Sequence, residues 1–364
     1  MSQRVLSASY SSYAPLRFEI TRQGCQKIAE RYKYLIGKAE LHEVDSKISH
    51  DTMVMYKNLM PPSLDAFKIL RKESGKMLSY VEFFSSNRMI YDFHKSLTSA
   101  LLETDIDKIN LDNIPKPHEH FYLHFGNYSW PDGYPPELEG VYVSFRSNLE
   151  EGKSMYFDPV FNHQFATPLH VNTERESISG NFEIFFSDVT EGIEEYLARS
   201  SEEISFENST LVSPDGPPIF EVFNEVCKRD PGNPKQNALV AKIAINCMLY
   251  LAAVPDDVEH EWEDRAPANL VELSLRGEKE GTRKTAERTL ANQHYLKVRI
   301  VGRAFSRSHD SININTHKKA THVRKGHFRN QAYGPEWTMH RIIFIAPKVI
   351  NPGSGEMPGR IFEV

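Results

Sequence analysis

Apolar positions recur with two different periods along the chain. Ile28, Tyr32, Leu35 and Ile36 share one face of a helix that Thr21 can cap and that runs to about Lys38. Pro61-Pro62-Ser63 opens a second helix striped by Leu64, Phe67, Ile69 and Leu70. A third, over about 87–102, places Ile90, Phe93, Leu97, Ala100 and Leu101 at helical spacing. From residue 120 the period falls to two: residues 120–125 and 140–145 alternate as strands across a turn-rich connection at 130–136, and 181–187 is a third strand. A helix near 190–199, a loop at 213–218, a short helix ending near Lys228 and a Pro-rich break at 230–234 precede a long apolar helix to Val254. Residues 255–293 carry no apolar stripe and read as an exposed, partly disordered linker. Strands follow at 296–301, 321–329 and 339–345, with Pro347 and Asn351-Pro352-Gly353 closing the ordered part.

The expected fold is therefore α+β. Its parts are a flexible arm at 1–15, a mostly helical region at 16–110, an α+β core at 111–258, a basic polar linker at 259–293 and a β-rich C-terminal region at 294–364.

Composition narrows the class. With 364 residues, 40% hydrophobic and 25% charged, the chain is long enough for a core of its own and unlike a collagen, a coiled coil or a disordered tract. Cys25, Cys227 and Cys247 lie far apart with no CxxC, which suggests neither a disulfide framework nor a zinc ribbon and fits a reducing cytoplasm. The first residues lack the apolar core of a secretory signal. The apolar stretch at 238–254 is broken by Lys242 and Asn246 and reads as a buried helix, so no membrane partner is expected.

Charge changes the picture. The net charge is −6, yet residues 276–329 hold fourteen Lys and Arg against four Asp and Glu, a local balance of +10. Such asymmetry points to an anionic partner, to a solvated face, or to docking on the chain's own acidic half. The densest cluster spans 317–341, with His317, His322, His327 and His340 among Lys318, Lys319, Arg324, Lys325, Arg329 and Arg341. On one continuous strand His322 and Arg324 would share a face, and Lys325, His327 and Arg329 the other. Gly326 can host a bulge or admit a ligand backbone. Phe328, Tyr333 and Trp337 can stack on unpaired bases.

Three readings of this cluster follow. Histidine can take the proton of a ribose 2′-hydroxyl, a second histidine can protonate the leaving oxygen, and arginine can stabilise the charge on phosphorus, which is metal-independent RNA cleavage by His322, His327 and Arg324. Alternatively the strand grips phosphates through Lys318, Lys319, Lys325, Arg329 and Arg341 without cleaving, or the motif is structural. Two-metal chemistry is disfavoured, because no acidic residue lies between Asp310 and Glu336. A second cluster, His118-Glu119-His120 with His124, would face one way on a strand as a metal set, but a half-buried strand explains it as well and no cofactor or metal is assigned.

The stretch His322-Val323-Arg324-Lys325-Gly326-His327-Phe328-Arg329, continuing through Gly334, Arg341, Pro347 and Asn351, resembles the C-terminal signature of the type V-A anti-CRISPR family whose founding activity lowers production of the type V CRISPR nuclease. The family pattern is roughly P-H-[IV]-R-[RK]-G-H-[WF]; here Thr321 stands in place of the proline and Phe328 in place of the tryptophan. Weaker echoes at 121–125, 140–145 and 237–258 extend the resemblance over about 115–351. It implies a protein of phages, plasmids or other mobile elements that recognises a nascent target polypeptide during translation and causes loss of its mRNA. The implied partners are that polypeptide and the mRNA or ribosome. The motif positions carried over are His322, Arg324, Gly326 and His327, with Gly334 as a second backbone position.

Overall fold

In the computed structural model, residues 11–21, 24–39, 41–56, 64–106, 114–148, 152–161, 182–185, 234–309 and 322–350 are described. Four helices come first: α1 (Ala14–Thr21), α2 (Cys25–Tyr32), α3 (Leu41–Tyr56) and α4 (Leu64–Ser85). Then follow β1 (Ile90–Phe93), α5 (Lys95–Leu102), β2 (His120–His124), β3 (Leu138–Asn148), β4 (Gly152–Phe161) and β5 (Phe182–Phe185). The second half holds α6 (Pro234–Ala253), β6 (Val258–Trp262), α7 (Ala268–Arg276), α8 (Glu280–Asn292), β7 (Lys297–Val301) and α9 (Arg303–His309), and ends with β8 (His322–Arg324), β9 (His327–Tyr333), β10 (Met339–Ile345) and β11 (Lys348–Ile350).

The sheet has seven strands in the order β5-β4-β3-β2-β1-β7-β6. β1 runs parallel to β2 and to β7, and the other pairs are antiparallel. Period-two alternation sorts its side chains. Phe121, Leu123, Val141, Val143, Met155 and Phe157 point to one face, where α5 and α6 cover them. Tyr122, Tyr142, Val160, Ile90, Val298 and Ile300 point to the other, under α1 and α4. Both faces are buried, so the fold is α+β in three layers rather than a sheet with one wet face.

The helical layer docks through buried charges as well as apolar contacts. Arg17 pairs with Glu139, and Lys76 with Asp158, which also accepts from Ser79 Oγ at 2.7 Å. Glu82 receives Arg146 Nε at 2.9 Å and Ser144 Oγ at 2.8 Å. Burial alone would raise the Glu82 carboxyl, but Arg146 and His120 bring it below its ordinary value. The α6 segment Gln236–Ala253 is long and apolar enough to cross a membrane, yet Val240, Ala241, Ile243 to Ile245 and Cys247 to Leu249 are fully buried against the sheet, as a core helix requires.

Four expectations are corrected. The helix over 87–102 is β1 followed by α5, because Ile90 and Phe93 meet sheet neighbours while Leu97, Ala100 and Leu101 keep their helical stripe. The linker at 255–293 is β6 and a packed pair of helices, α7 and α8, which bury little beyond Ser274, Ala286 and Leu290 and so leave no stripe to read. Residues 11–15 of the expected arm are docked: Ser11 Oγ donates to Asp264 at 3.0 Å and Tyr13 is 8% exposed, while residues 1–10 lie outside the described residues. The helix expected from a Thr21 cap to about Lys38 is the shorter α2, which starts at Cys25 after Gly24 at φ 96° and ends at Tyr32, while Thr21 closes a separate helix, α1. The segments at 190–199, 213–218 and near 228 lie outside the described residues.

A cationic hairpin as the candidate functional site

Residues 322–350 form one long antiparallel hairpin with a break in it. β9 pairs with β10 from His327↔Ile345 to Tyr333↔Met339, and β8 pairs with β11 from His322↔Ile350 to Arg324↔Lys348. The register is continuous, so Lys325 stands opposite Pro347 and Gly326 opposite Ala346. Proline has no N–H to give to a ladder, which is why the pairing lapses there and resumes at Lys348. Pro347 interrupts the hairpin rather than ending it, and the expected strand 321–329 is two strands.

The break is also the anchor. The Asp105 N–H donates to the Gly326 carbonyl at 3.0 Å, and a Cβ at Gly326 would lie 2.7 Å from Thr104 Oγ1 and 3.0 Å from Pro347 Cδ. The close approach foreseen at Gly326 is thus made by the chain's own α5 terminus. Beyond it, Phe328 and Phe344 pack at 5.2 Å between ring centres, and Phe344 meets Tyr250 of α6 at 5.1 Å. Phe328 is 2% exposed, which corrects its expected role: a ring in the core presents no face to a base.

The side chains that point away from this anchor are cationic. Arg324, Lys325, Arg329, Arg341 and Lys348 are exposed, and none makes an ion pair with another described residue. Some cations of the preceding elements are paired, Lys284 with Glu280, Lys297 with Glu287, and Arg303 with Glu259 and Glu261, whereas Arg276, Lys279, Arg283 and Arg288 of α7, α8 and the turn between them are exposed and, like those of the hairpin, make no ion pair with a described residue. Sequence charge alone could not separate the paired from the unpaired set. The Arg341 guanidinium lies 5.2 Å over the Tyr333 ring. Gly334, at φ 79°, makes the turn after β9 and leads into a short 3₁₀ segment (Pro335–Trp337) at the hairpin tip. Trp337 there is 67% exposed and Met339 48%. Lys348 was missed; the signal was the three-residue run after Pro347 that pairs with His322 to Arg324.

The hairpin does not bring the two motif histidines together in one ladder. His322 lies in β8 and half-buried His327 in β9, five residues apart on a mostly extended chain, a span of up to about 16 Å. An acid and a base acting on one phosphate must both reach it within hydrogen-bond distance. Lys318 and Lys319 lie outside the described residues.

The His118, His120 and His124 cluster is corrected too. His118 packs at 6.1 Å from the Tyr91 ring, on the α6 side of the sheet, whereas His120 and His124 are buried on the α4 side. Burial holds both of the latter imidazoles below their ordinary pKa, that of His124 down to about 3, so they sit neutral. Among the described residues no group of three His, Cys, Asp or Glu could hold a metal ion.

The AcrVA2-like family, Anti-CRISPR type V subtype A2, matches residues 91–352, from within β1 to just beyond β11. The chain belongs to this family. The matched stretch contains the whole hairpin and its anchor at Thr104 and Asp105, and the expectation drawn from the C-terminal motif is met. A crystal structure of AcrVA2 is similar at 10% sequence identity and a TM-score of 0.42, covering 93% of this chain and 97% of that one. No curated protein matches. Family membership supports an anti-CRISPR function for the chain.

Proposed function

We propose that this protein works as an anti-CRISPR during translation: it recognises the nascent polypeptide of the type V CRISPR nuclease and causes loss of the mRNA being read, with the hairpin at 322–350 contacting RNA of the translating complex. The observation that carries the RNA contact is the set of five exposed cations, Arg324, Lys325, Arg329, Arg341 and Lys348, free of ion pairs among the described residues in a protein of net charge −6. Unpaired cations on a projecting element attract phosphates, and they release counterions when they bind them. Family membership supplies the anti-CRISPR context. Location in the cytoplasm of the bacterial host and carriage by a phage or plasmid belong to the same proposal.

The test is to co-express the protein with the nuclease transcript in two forms, one translated normally and one with its start codon removed. Transcript abundance is expected to fall only for the translated form. A triple variant, Arg324→Ala, Arg329→Ala and Arg341→Ala, is expected to abolish the fall while leaving the melting temperature unchanged. Equal loss of both transcripts, or full activity of the triple variant, refutes the reading.

A further inference from the structure

The β9–β10 hairpin combines three features. Trp337 has a backbone φ of 57°, a left-handed conformation that bulky residues rarely adopt, and it holds its indole 67% exposed. An exposed large aromatic on a strained turn is a costly arrangement, and such outliers concentrate at binding sites. Second, Arg329 and Arg341 share the outward face: Arg329 pairs with Ile343, so Arg341 is its diagonal neighbour, about 7–8 Å away. That is close to the step between successive phosphates of an extended nucleic-acid strand. Third, a shallow pocket of about 440 Å³ opens beside Arg341, with an apolar lining of Ala252, Ala253, Pro255, Ile342 and Ile343.

Resting on the RNA contact proposed above, we infer that the outer face and tip of the β9–β10 hairpin select single-stranded over double-stranded RNA, with an unpaired base stacked on Trp337, phosphates on Arg329 and Arg341, and a second base in the pocket beside Arg341. A duplex hides the faces of its bases, so a stacking platform is useful only for unpaired ones. Stacking also tolerates any base, which suits a protein that must take hold of coding sequence wherever the ribosome has opened it. Charge complementarity favours nucleic acid over an apolar protein partner: apart from Glu336, residues 322–350 contain no Asp or Glu.

The experiment measures binding of the full-length protein to a labelled twelve-nucleotide RNA, single-stranded and as a duplex of the same sequence, by fluorescence anisotropy at two salt concentrations. Wild type is expected to bind the single strand at least tenfold more tightly. Trp337→Ala is expected to lower that affinity about tenfold or more, Trp337→Phe to retain most of it, and Arg341→Ala to reduce both affinity and salt slope. Tyr34→Ala, 58% exposed but on the helical layer, is expected to change nothing. Melting temperatures and near-ultraviolet circular dichroism establish that each variant is folded. Equal affinity for duplex and single strand, or a Trp337→Ala variant that binds as wild type does, overturns the inference and leaves the RNA contact standing. No binding of either RNA overturns both. Displacement of the RNA by a polyglutamate peptide whose own binding depends on Trp337 overturns the inference in favour of an acidic protein partner.

Discussion

Replacing Gly326 by Ala tests whether the glycine of the His-Val-Arg-Lys-Gly-His-Phe motif serves the fold or a ligand. The added Cβ would sit 2.7 Å from Thr104 Oγ1, 3.0 Å from Pro347 Cδ and 3.3 Å from Pro347 N. Neither neighbour can easily yield. The Thr104 hydroxyl is held by donating to the Ala100 carbonyl at 2.7 Å, and its residue is 1% exposed. Pro347 is a rigid ring on the opposite strand. The hairpin must therefore back away from the end of α5, which strains the bond from Asp105 N–H to the Gly326 carbonyl. Overpacking of this kind costs about 1–3 kcal/mol, and loss of the backbone bond adds about 1 kcal/mol. Urea denaturation is expected to report a loss of about 2–4 kcal/mol at unchanged m-value. The sharper result is the double variant: Thr104→Ala removes the obstructing oxygen, so Gly326→Ala should cost at least about 1 kcal/mol less in that background than in wild type. Strict additivity, or a single variant within about 0.5 kcal/mol of wild type, refutes the steric account and returns Gly326 to the ligand-approach reading.

Three further expectations follow from the buried polar groups. His124 is neutral in the folded protein, with a pKa near 3, while the unfolded chain takes up a proton below about 6.5, so acid favours unfolding and lowering the pH from 7 to 5 removes about 2 kcal/mol through this residue. Asp92 works the other way, because burial lifts its carboxyl to about 6 and the folded state gains a proton first; His124→Gln should therefore lose about 2 kcal/mol less than wild type over that interval, and equal losses in urea melts at the two pH values would contradict this. Arg146→Met strands Glu82, whose side chain is 1% exposed, and should cost about 3 kcal/mol or more in thermal melts, whereas adding Glu82→Gln should recover much of it. Asp257→Ala removes the carboxylate that accepts from the N–H of Ala304 at 2.8 Å and from Tyr250 Oη at 2.7 Å, and should lower stability by about 1–3 kcal/mol by the same assay.

Much of the sheet was legible because alternation is local. The strands expected at 120–125, 140–145, 181–187, 296–301 and 339–345 all occur, and the apolar helix before Val254 is α6. Failures came where the deciding contact is distant in sequence. Residues 90–93 satisfy a helical stripe and a short buried strand equally well, and only pairing with β2 and β7 selects the strand. α7 and α8 lean on each other with few buried side chains, so tertiary contact supplies what periodicity does not. Tyr13 looked like part of a loose arm, but its hydroxyl donates to Asp92 at 3.0 Å, across 79 residues. At the hairpin Arg324, Lys325, Arg329 and Arg341 of the motif region are exposed, but Phe328 was mistaken for a surface aromatic, since a strand beside Gly and Pro gives no sign of which face the body will cover.

The family match begins at residue 91, yet the layer that precedes it is no appendage. Arg17, Lys76 and Glu82 of α1 and α4 meet Glu139, Asp158 and Arg146 of the matched segment as buried pairs, beneath a face that also buries Tyr122 and Tyr142 completely or nearly so. Such pairs add little net stability over apolar contacts, but separating them leaves a bare charge in the interior, so they permit one docking arrangement and penalise others. Cutting the chain at residue 90 would expose that whole face, which makes the matched segment dependent on the layer before it. The same layering explains where function can reside. With helices on both faces of the sheet, a macromolecular partner meets edges, loops and projections, and the hairpin is one of these whose cations the rest of the described chain leaves unneutralised. The buried layers hold their charge in internal pairs, while the hairpin, like the outer faces of α7 and α8, keeps exposed cations available.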